Sequence, residues 1–187
     1  MENSTHFFYA VKIPSETKNQ LHNKILPLKE ELPFHRWVHP EDYHITLAFL
    51  GNADRGMLET SIQLISEELS KDKSFPLNFE GMGTFGSKES PRIFWLRLEE
   101  QARLYEVRKT VFRACEEAGF SLEKRPFHPH VTVARKWKGN HPFNHQKLQN
   151  KNPFDLERMS FDANEIVLYQ THLDREPKYE VVHSFII

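Results

Sequence analysis

Two five-residue segments of the chain are nearly identical: HITLA from His44 to Ala48, and HVTVA from His130 to Ala134. In an extended strand alternate side chains share a face, so the histidine, threonine and alanine of each segment point one way and the two larger aliphatic residues point the other. One copy lies in each half of the chain. The repeat therefore predicts two half-buried strands, each presenting the same polar pair.

A single His-x-Thr arises easily by chance among 187 residues that include 11 histidines. A duplicate that extends over five residues, once in each half, is far harder to obtain by chance. The alternative is a pair of solvent-facing strands without a role. We interpret the two pairs as parts of one site, formed by two similar lobes that face each other across a cleft.

The rest of the pattern mixes helices with several successive strands. Amphipathic spacing predicts helices over residues 15–32, 58–69 and 104–115. Aromatic and β-branched runs predict strands over residues 5–14, 34–38, 43–50, 75–85, 91–98, 127–133, 165–171 and 179–187. A polar loop is predicted over residues 138–152.

Several strands follow one another without an intervening helix, which favours antiparallel pairing. The predicted fold is α+β and bilobal, with two similar lobes of antiparallel sheet, helices packed outside and a central cleft lined by the two His-x-Thr strands. We expect one domain over residues 1–187.

Charge and cysteine usage narrow the class of protein. The formal charge of −1 argues against a protein that coats nucleic acid, because such proteins neutralise many phosphates. Cys115 is the only cysteine and reads as a core residue, so a reducing, cytoplasmic location is expected. The N-terminus lacks the pattern of a signal peptide, and no uncharged run approaches the roughly 20 residues that cross a bilayer.

Two imidazoles that face one site suit proton transfer, since the ordinary pKa of histidine is about 6.5. One can accept a proton from a nucleophile while the other donates one to a leaving oxygen, and the threonine hydroxyls can bind phosphate oxygens. Neither a metal nor a cofactor is required. His128 next to His130 is not predicted to bind zinc, which needs three or four ligands, because no cysteine or acidic residue stands at ligand spacing.

Three segments carry a resemblance to a known family: RWVHPEDYHITLAFLG at Arg36 to Gly51, PRIFWLRL at 91–98, and EKRPFHPHVTVARK at 123–136. They resemble the two-histidine (2H) phosphoesterase superfamily, and within it the RNA 2′,3′-cyclic phosphodiesterases, also called 2′-5′ RNA ligase-like proteins. The resemblance implies a bilobal α+β fold and metal-independent hydrolysis of RNA 2′,3′-cyclic phosphate ends to 2′-phosphomonoesters.

The resemblance also implies a role for each motif residue. His44 becomes the proton donor and His130 the proton acceptor, while Thr46 and Thr132 bind the phosphate. Which histidine is the acid follows from the resemblance alone. Arg135 is retained as a substrate-binding candidate because the family often has arginine there, although strict alternation points its side chain away from His130 unless the strand twists or ends.

The expected partners are RNA ends that bear a 2′,3′-cyclic phosphate, with tRNA fragments or cyclic nucleotides as candidate substrates. A monomer without membrane association is expected. Two other functions stay open: 2′-5′ ligation of RNA ends, in which a 5′-hydroxyl replaces water, and a non-catalytic module that binds RNA ends. Four nearby aromatic residues are interpreted as core residues rather than as a base-stacking platform: Trp37, Phe49, Trp95 and Tyr169.

Overall fold

Two antiparallel sheets form the frame of the computed structural model, which describes residues 5–187. The strands are β1 (His6–Lys12), β2 (Phe34–Trp37), β3 (His44–Asn52), β4 (Phe75–Gly86), β5 (Pro91–Leu98), β6 (His130–Trp137), β7 (Met159–Ala163), β8 (Glu165–Thr171) and β9 (Tyr179–Ile186). Sheet 1 has the order β3-β1-β8-β9, and sheet 2 has the order β2-β6-β5-β4-β7. The α+β class and the antiparallel pairing are confirmed. Residues 1–4 of the predicted domain lie outside the described residues.

Four α-helices cover the sheets within residues 5–187: α1 (Ser15–Glu31), α2 (Arg55–Leu69), α3 (Ala102–Glu117) and the short α4 (His145–Gln149). Helices α2 and α3 pack together, with α3 against β3 and α2 against β9, so both belong to the lobe of sheet 1. Helix α1 is tied to the other lobe by the ion pairs Lys24–Glu157 and Glu31–Lys151. Of the helices described, none is long and apolar enough to span a bilayer.

The two lobes are interleaved along the chain. Sheet 1 takes β1 and β3 from the first part of the sequence and β8 and β9 from the end, whereas sheet 2 takes β2 and the run from β4 to β7. Each sheet contains one motif strand, as predicted. A lobe is nevertheless not a contiguous half of the sequence, because strand pairing joins residues that are distant along the chain.

Local differences from the prediction have simple causes. Pro27 lacks an N–H and is expected to kink or end the regular part of α1, yet the helix runs on to Glu31, where burial of Leu28 at the next position offsets the one hydrogen bond that the proline removes. Strand β6 begins at His130, after Pro129, which has no N–H to donate to a ladder. The predicted polar loop contains α4, capped by the side chain of Asn144, and β7 was not predicted at all.

Candidate active site

The motif strands β3 and β6 meet in space and belong to different sheets. Burial follows the same pattern along the five motif residues of both strands, with the histidine and threonine half-buried and the other three residues buried. The histidine and threonine of each motif consequently stay outside the core, and Thr46 of β3 and His130 of β6 line one cleft between the lobes. The charge of His130 acts on the ring of His44. The aliphatic residues enter the core, including Ala48 and Ala134, whose predicted place on the polar face is wrong. The predicted cleft between the His-x-Thr strands is confirmed.

Both histidines are anchored in the same way. Nδ1 of His44 lies 2.7 Å from the carbonyl oxygen of Asp42, and Nδ1 of His130 lies 2.6 Å from that of His128. A carbonyl only accepts, so Nδ1 carries the proton of the neutral ring and donates it. Nε2 is left as the acceptor, and in His44 it lies 3.0 Å from Oγ1 of Thr46, whose hydroxyl donates to it.

The cleft disfavours positive charge on the imidazoles. Burial lowers the pKa of His44 to about 4, and the charges of His130, Lys18 and Arg135 act in the same direction, against the hydrogen bond from Nδ1. Burial also lowers the pKa of His130, with further contributions from Arg135 and His128. Both rings are therefore neutral at neutral pH in the free protein, and a bound anion would raise both pKa values.

Each motif strand contains a β-bulge at its second aliphatic position. The pairing of β3 with β1 skips Leu47, and the pairing of β6 with β5 skips Val133. A bulge inserts one residue and shifts the alternation of faces beyond it. The residue after each motif thus returns to the face of the threonine: Phe49 in β3 and Arg135 in β6.

Arg135 therefore enters the cleft, and the alternation that pointed it away from His130 is wrong beyond the bulge. Its side chain is half-buried, and its charge contributes to the lowered pKa of both histidines. Burial lowers the pKa of the Arg135 guanidinium itself, while the nearby Tyr179 raises it. A cation with little solvent at this position is suited to an anionic ligand.

Aromatic rings surround His44 on sheet 1. Ring centroids of Phe8, Tyr179 and Tyr169 lie 4.8, 5.1 and 5.9 Å from that of the imidazole. Phe8 and Tyr169 form, with Ala10 and Val167, a small apolar cluster separate from the main core. These rings fix the orientation of the imidazole and exclude water from it.

A second aromatic group flanks His130 on sheet 2. Phe85 and Trp95 stack with centroids 4.8 Å apart, and they lie 5.0 and 5.8 Å from the imidazole. Trp95 covers Gly83 so closely that a Cβ there would come within 2.4 Å of the indole. Glycine at residue 83 is what allows the ring to lie flat beside the site.

The four aromatic residues predicted to be core residues divide accordingly. Trp37 packs on Phe94 and is the member that fits the prediction best. Tyr169 is buried in the small apolar cluster beside His44, so its assignment to the core is confirmed. Trp95 is half-buried and packs between Phe85 and His130, outside the main core. Phe49 is 58% exposed, so its assignment to the core is wrong. The bulge explains this, because it moves Phe49 to the open face.

Residues 5–187 contain no group of three or more His, Cys, Asp or Glu side chains placed to hold a metal ion.

A family model described as the 2′-5′ RNA ligase superfamily matches residues 17–175, which is most of the chain. The chain belongs to this superfamily. The resemblance predicted from the motif segments is thereby confirmed.

Individual relatives and a solved structure support this family assignment. The chain is 42% identical to an RNA 2′,3′-cyclic phosphodiesterase of Geobacillus stearothermophilus, over 97% of this chain but only 57% of the relative. It is 37% identical to the protein of the same name from Bacillus subtilis, over 96% of this chain and 95% of the relative. Its fold matches Escherichia coli LigT, crystallised with 3′-AMP, with a TM-score of 0.78, 21% identity and 99% of each chain covered.

Asp42 is a site residue of this superfamily member that the sequence analysis missed. Its backbone oxygen anchors His44, and its buried carboxylate accepts hydrogen bonds from the backbone N–H groups of Lys178 and Tyr179, at 2.8 and 3.1 Å. Tyr179 is one of the rings around His44. Nothing in the sequence near Asp42 signals partners 136 and 137 positions away.

Proposed function

We propose that the protein hydrolyses RNA 2′,3′-cyclic phosphate ends to 2′-phosphomonoesters by metal-independent acid and base catalysis. The observation that carries this proposal is the matched pair of imidazoles, each held through Nδ1 so that Nε2 is the nitrogen available for proton transfer; Nε2 of His44 accepts from Thr46, and Nε2 of His130 has no partner among residues 5–187. The names of the Geobacillus and Bacillus relatives support the same substrate class.

In the proposed reaction, Nε2 of His130 takes a proton from water as the water oxygen attacks phosphorus in line with the P–O3′ bond. That bond breaks, and O3′ receives a proton from Nε2 of His44, which leaves a 2′-phosphate and a free 3′-hydroxyl. His130 suits the base, since its Nε2 has no hydrogen-bond partner among residues 5–187. The assignment of acid and base otherwise follows family resemblance.

Binding of the phosphate prepares His44 to act as the acid. The negative charge of the substrate favours the imidazolium, whose Nε2 donates and no longer accepts. The hydroxyl of Thr46 is then released from Nε2 to donate to a non-bridging oxygen. Thr132 supplies the matching donor from the other lobe, and Arg135 supplies positive charge to the same phosphate.

The direct test is product analysis with an oligoribonucleotide that ends in a 2′,3′-cyclic phosphate. We expect a 2′-phosphomonoester at an unchanged rate in EDTA, because the side chains alone account for the proton transfers. Loss of turnover in EDTA, restored by a divalent ion, would contradict the metal-free mechanism. A parallel reaction with a 5′-hydroxyl oligonucleotide tests ligation, and binding without turnover would indicate a module that only binds RNA ends.

The pH dependence should differ between kcat/KM, which reports the free enzyme, and kcat, which reports the complex. Burial lowers the pKa of His44, so the free enzyme loses its acid as pH rises through that lowered value. Bound phosphate raises the pKa and moves this loss to higher pH. We expect the alkaline limb of kcat/KM to lie at least about one pH unit below that of kcat. Coincident limbs, or rates that rise steadily to about pH 10, would contradict a paired acid and base.

We further propose that residues 1–187 act as a single two-lobed domain and as a monomer in the reducing cytoplasm. The passage of the chain between the sheets supports one folding unit, because neither sheet is complete without strands from distant parts of the sequence. The buried thiol of Cys115, the only cysteine, supports a reducing compartment.

A further inference from the structure

A groove of about 560 Å³ opens from the cleft along the lobe interface. Thr46 and His130, one from each motif strand, form its inner end. Its other walls include Arg108 of α3 and the segment 125–128 that leads into β6. The groove thus begins where the reacting phosphate would bind and continues beyond the catalytic residues.

Arg108 is an unpaired cation in this groove. Its guanidinium carbon lies 4.0 Å from the ring centre of Phe112 and 5.3 Å from that of Phe127. Within residues 5–187 it forms no ion pair, and its buried Nε has no hydrogen-bond partner. By contrast, Arg103 and Arg113 of the same helix pair with carboxylates. The two rings therefore hold a partly desolvated guanidinium, and its N–H donors are available to bind an anion.

The remaining lining suits a nucleotide unit. Arg125, which pairs with the exposed carboxylate of Glu123, and His128 add two further groups that can bind phosphate oxygens. Phe85 and Phe127 provide aromatic surface, on which a base can stack regardless of its identity. A cation together with aromatic faces in one groove matches a base or ribose with its attached phosphate better than a small anion alone.

We propose that this groove binds the nucleotide next to the cyclic end of the RNA strand, with the phosphodiester of that nucleotide on Arg108. The inference rests on the proposed hydrolysis of cyclic phosphate ends. Binding of this phosphodiester makes the protein selective for an RNA strand over a mononucleotide. A mononucleoside cyclic phosphate has no second phosphate to place on Arg108.

The test compares adenosine 2′,3′-cyclic phosphate with a diadenylate that ends in the same cyclic phosphate. We expect wild-type kcat/KM to be about tenfold higher for the dinucleotide, through KM, the worth of one charge-assisted hydrogen bond. Arg108→Gln should remove this preference and leave the mononucleotide rate within about twofold. Arg113→Gln, an exposed position on the same helix, should change neither rate.

Arg125→Gln is the second variant, since an exposed side chain can be changed without disturbing the rings around Arg108. It should weaken the dinucleotide preference in the same direction, with an unchanged melting temperature. Equal rates for both substrates in the wild type, or equal losses on both in Arg108→Gln, would overturn the proposal. A loss confined to ligation with a second, 5′-hydroxyl strand would also overturn it, by placing that other strand in the groove.

Binding measurements separate this inference from the proposed activity. The dissociation constants of adenosine 2′-phosphate and of the matching diadenylate 2′-phosphate do not depend on turnover. If neither cyclic substrate were hydrolysed, the proposed function would fail. The groove proposal would still stand on tighter binding of the dinucleotide that Arg108→Gln abolishes, and it would fall if the two ligands bound equally.

Discussion

His44→Ala and His130→Ala should each lower the turnover of an RNA 2′,3′-cyclic phosphate by roughly 10² to 10⁴, the usual worth of one positioned acid or base. The double variant should be far less than multiplicatively worse, because catalytic groups that act in one step are strongly non-additive. The measurement is single-substrate kinetics on the two single variants and the double variant. Proper folding is expected, since both side chains line the cleft.

His35→Ala is the matched control, because His35 is an exposed histidine on β2, the strand next to β6. It should leave turnover and melting temperature unchanged. Thr46→Ala and Thr132→Ala should cost less than the histidine variants, about 1–3 kcal/mol of transition-state stabilisation each. A dispensable histidine in either motif, or a histidine variant that fails to fold, would refute the paired acid and base.

Asp42→Ala should cause a large loss of stability, about 2–4 kcal/mol in the free energy of unfolding. The carboxylate is buried and accepts from two backbone N–H groups, of Lys178 and Tyr179, which would lose their acceptor. At this chain length each kcal/mol corresponds to a fall of roughly 2–4 °C in melting temperature. Turnover should fall as well, because Tyr179 would no longer be held against His44.

Asp42→Asn tests how much of the stability loss comes from the missing hydrogen-bond acceptor. Both N–H groups donate to Oδ1 of Asp42, and an amide oxygen in that place can still accept from them, so we expect a smaller loss of stability than for alanine. Asp162→Ala, at an exposed position on β7, is the control and should be neutral. If Asp42→Ala melted like the wild type, the anchoring of residues 178–179 through this carboxylate would be wrong.

The motif residues could be placed from the sequence because strand geometry is local. Alternation along HITLA and HVTVA is enough to put the histidines and threonines on one kind of face and Ile45 and Val131 on the other. It also put Ala48 and Ala134 on the polar face, which is wrong, because the bulges turn both alanines into the core. Amphipathic spacing likewise located α1, α2 and α3, since each buries a regular apolar stripe.

The features that escaped prediction depend on contacts between distant parts of the chain. The bulges at Leu47 and Val133 are visible only in the pairing of β3 with β1 and of β6 with β5, and they decide the direction of Phe49 and Arg135. Strand β7 is short and exists through its pairing with β4. The membership of each strand in sheet 1 or sheet 2 has no local signature either.

The interleaving of the sheets has a consequence for biosynthesis. Strand β1 emerges early from the ribosome, yet its partner β8 follows some 150 residues later, so sheet 1 cannot be completed until residues 165–186 have been translated. A nascent chain that stops before Glu165 carries both histidines and both threonines but lacks Tyr169 and Tyr179 beside His44. Such a polypeptide would hold all four motif side chains but not the rings of β8 and β9 that pack against His44, so the surroundings of this imidazole are completed only at the end of translation.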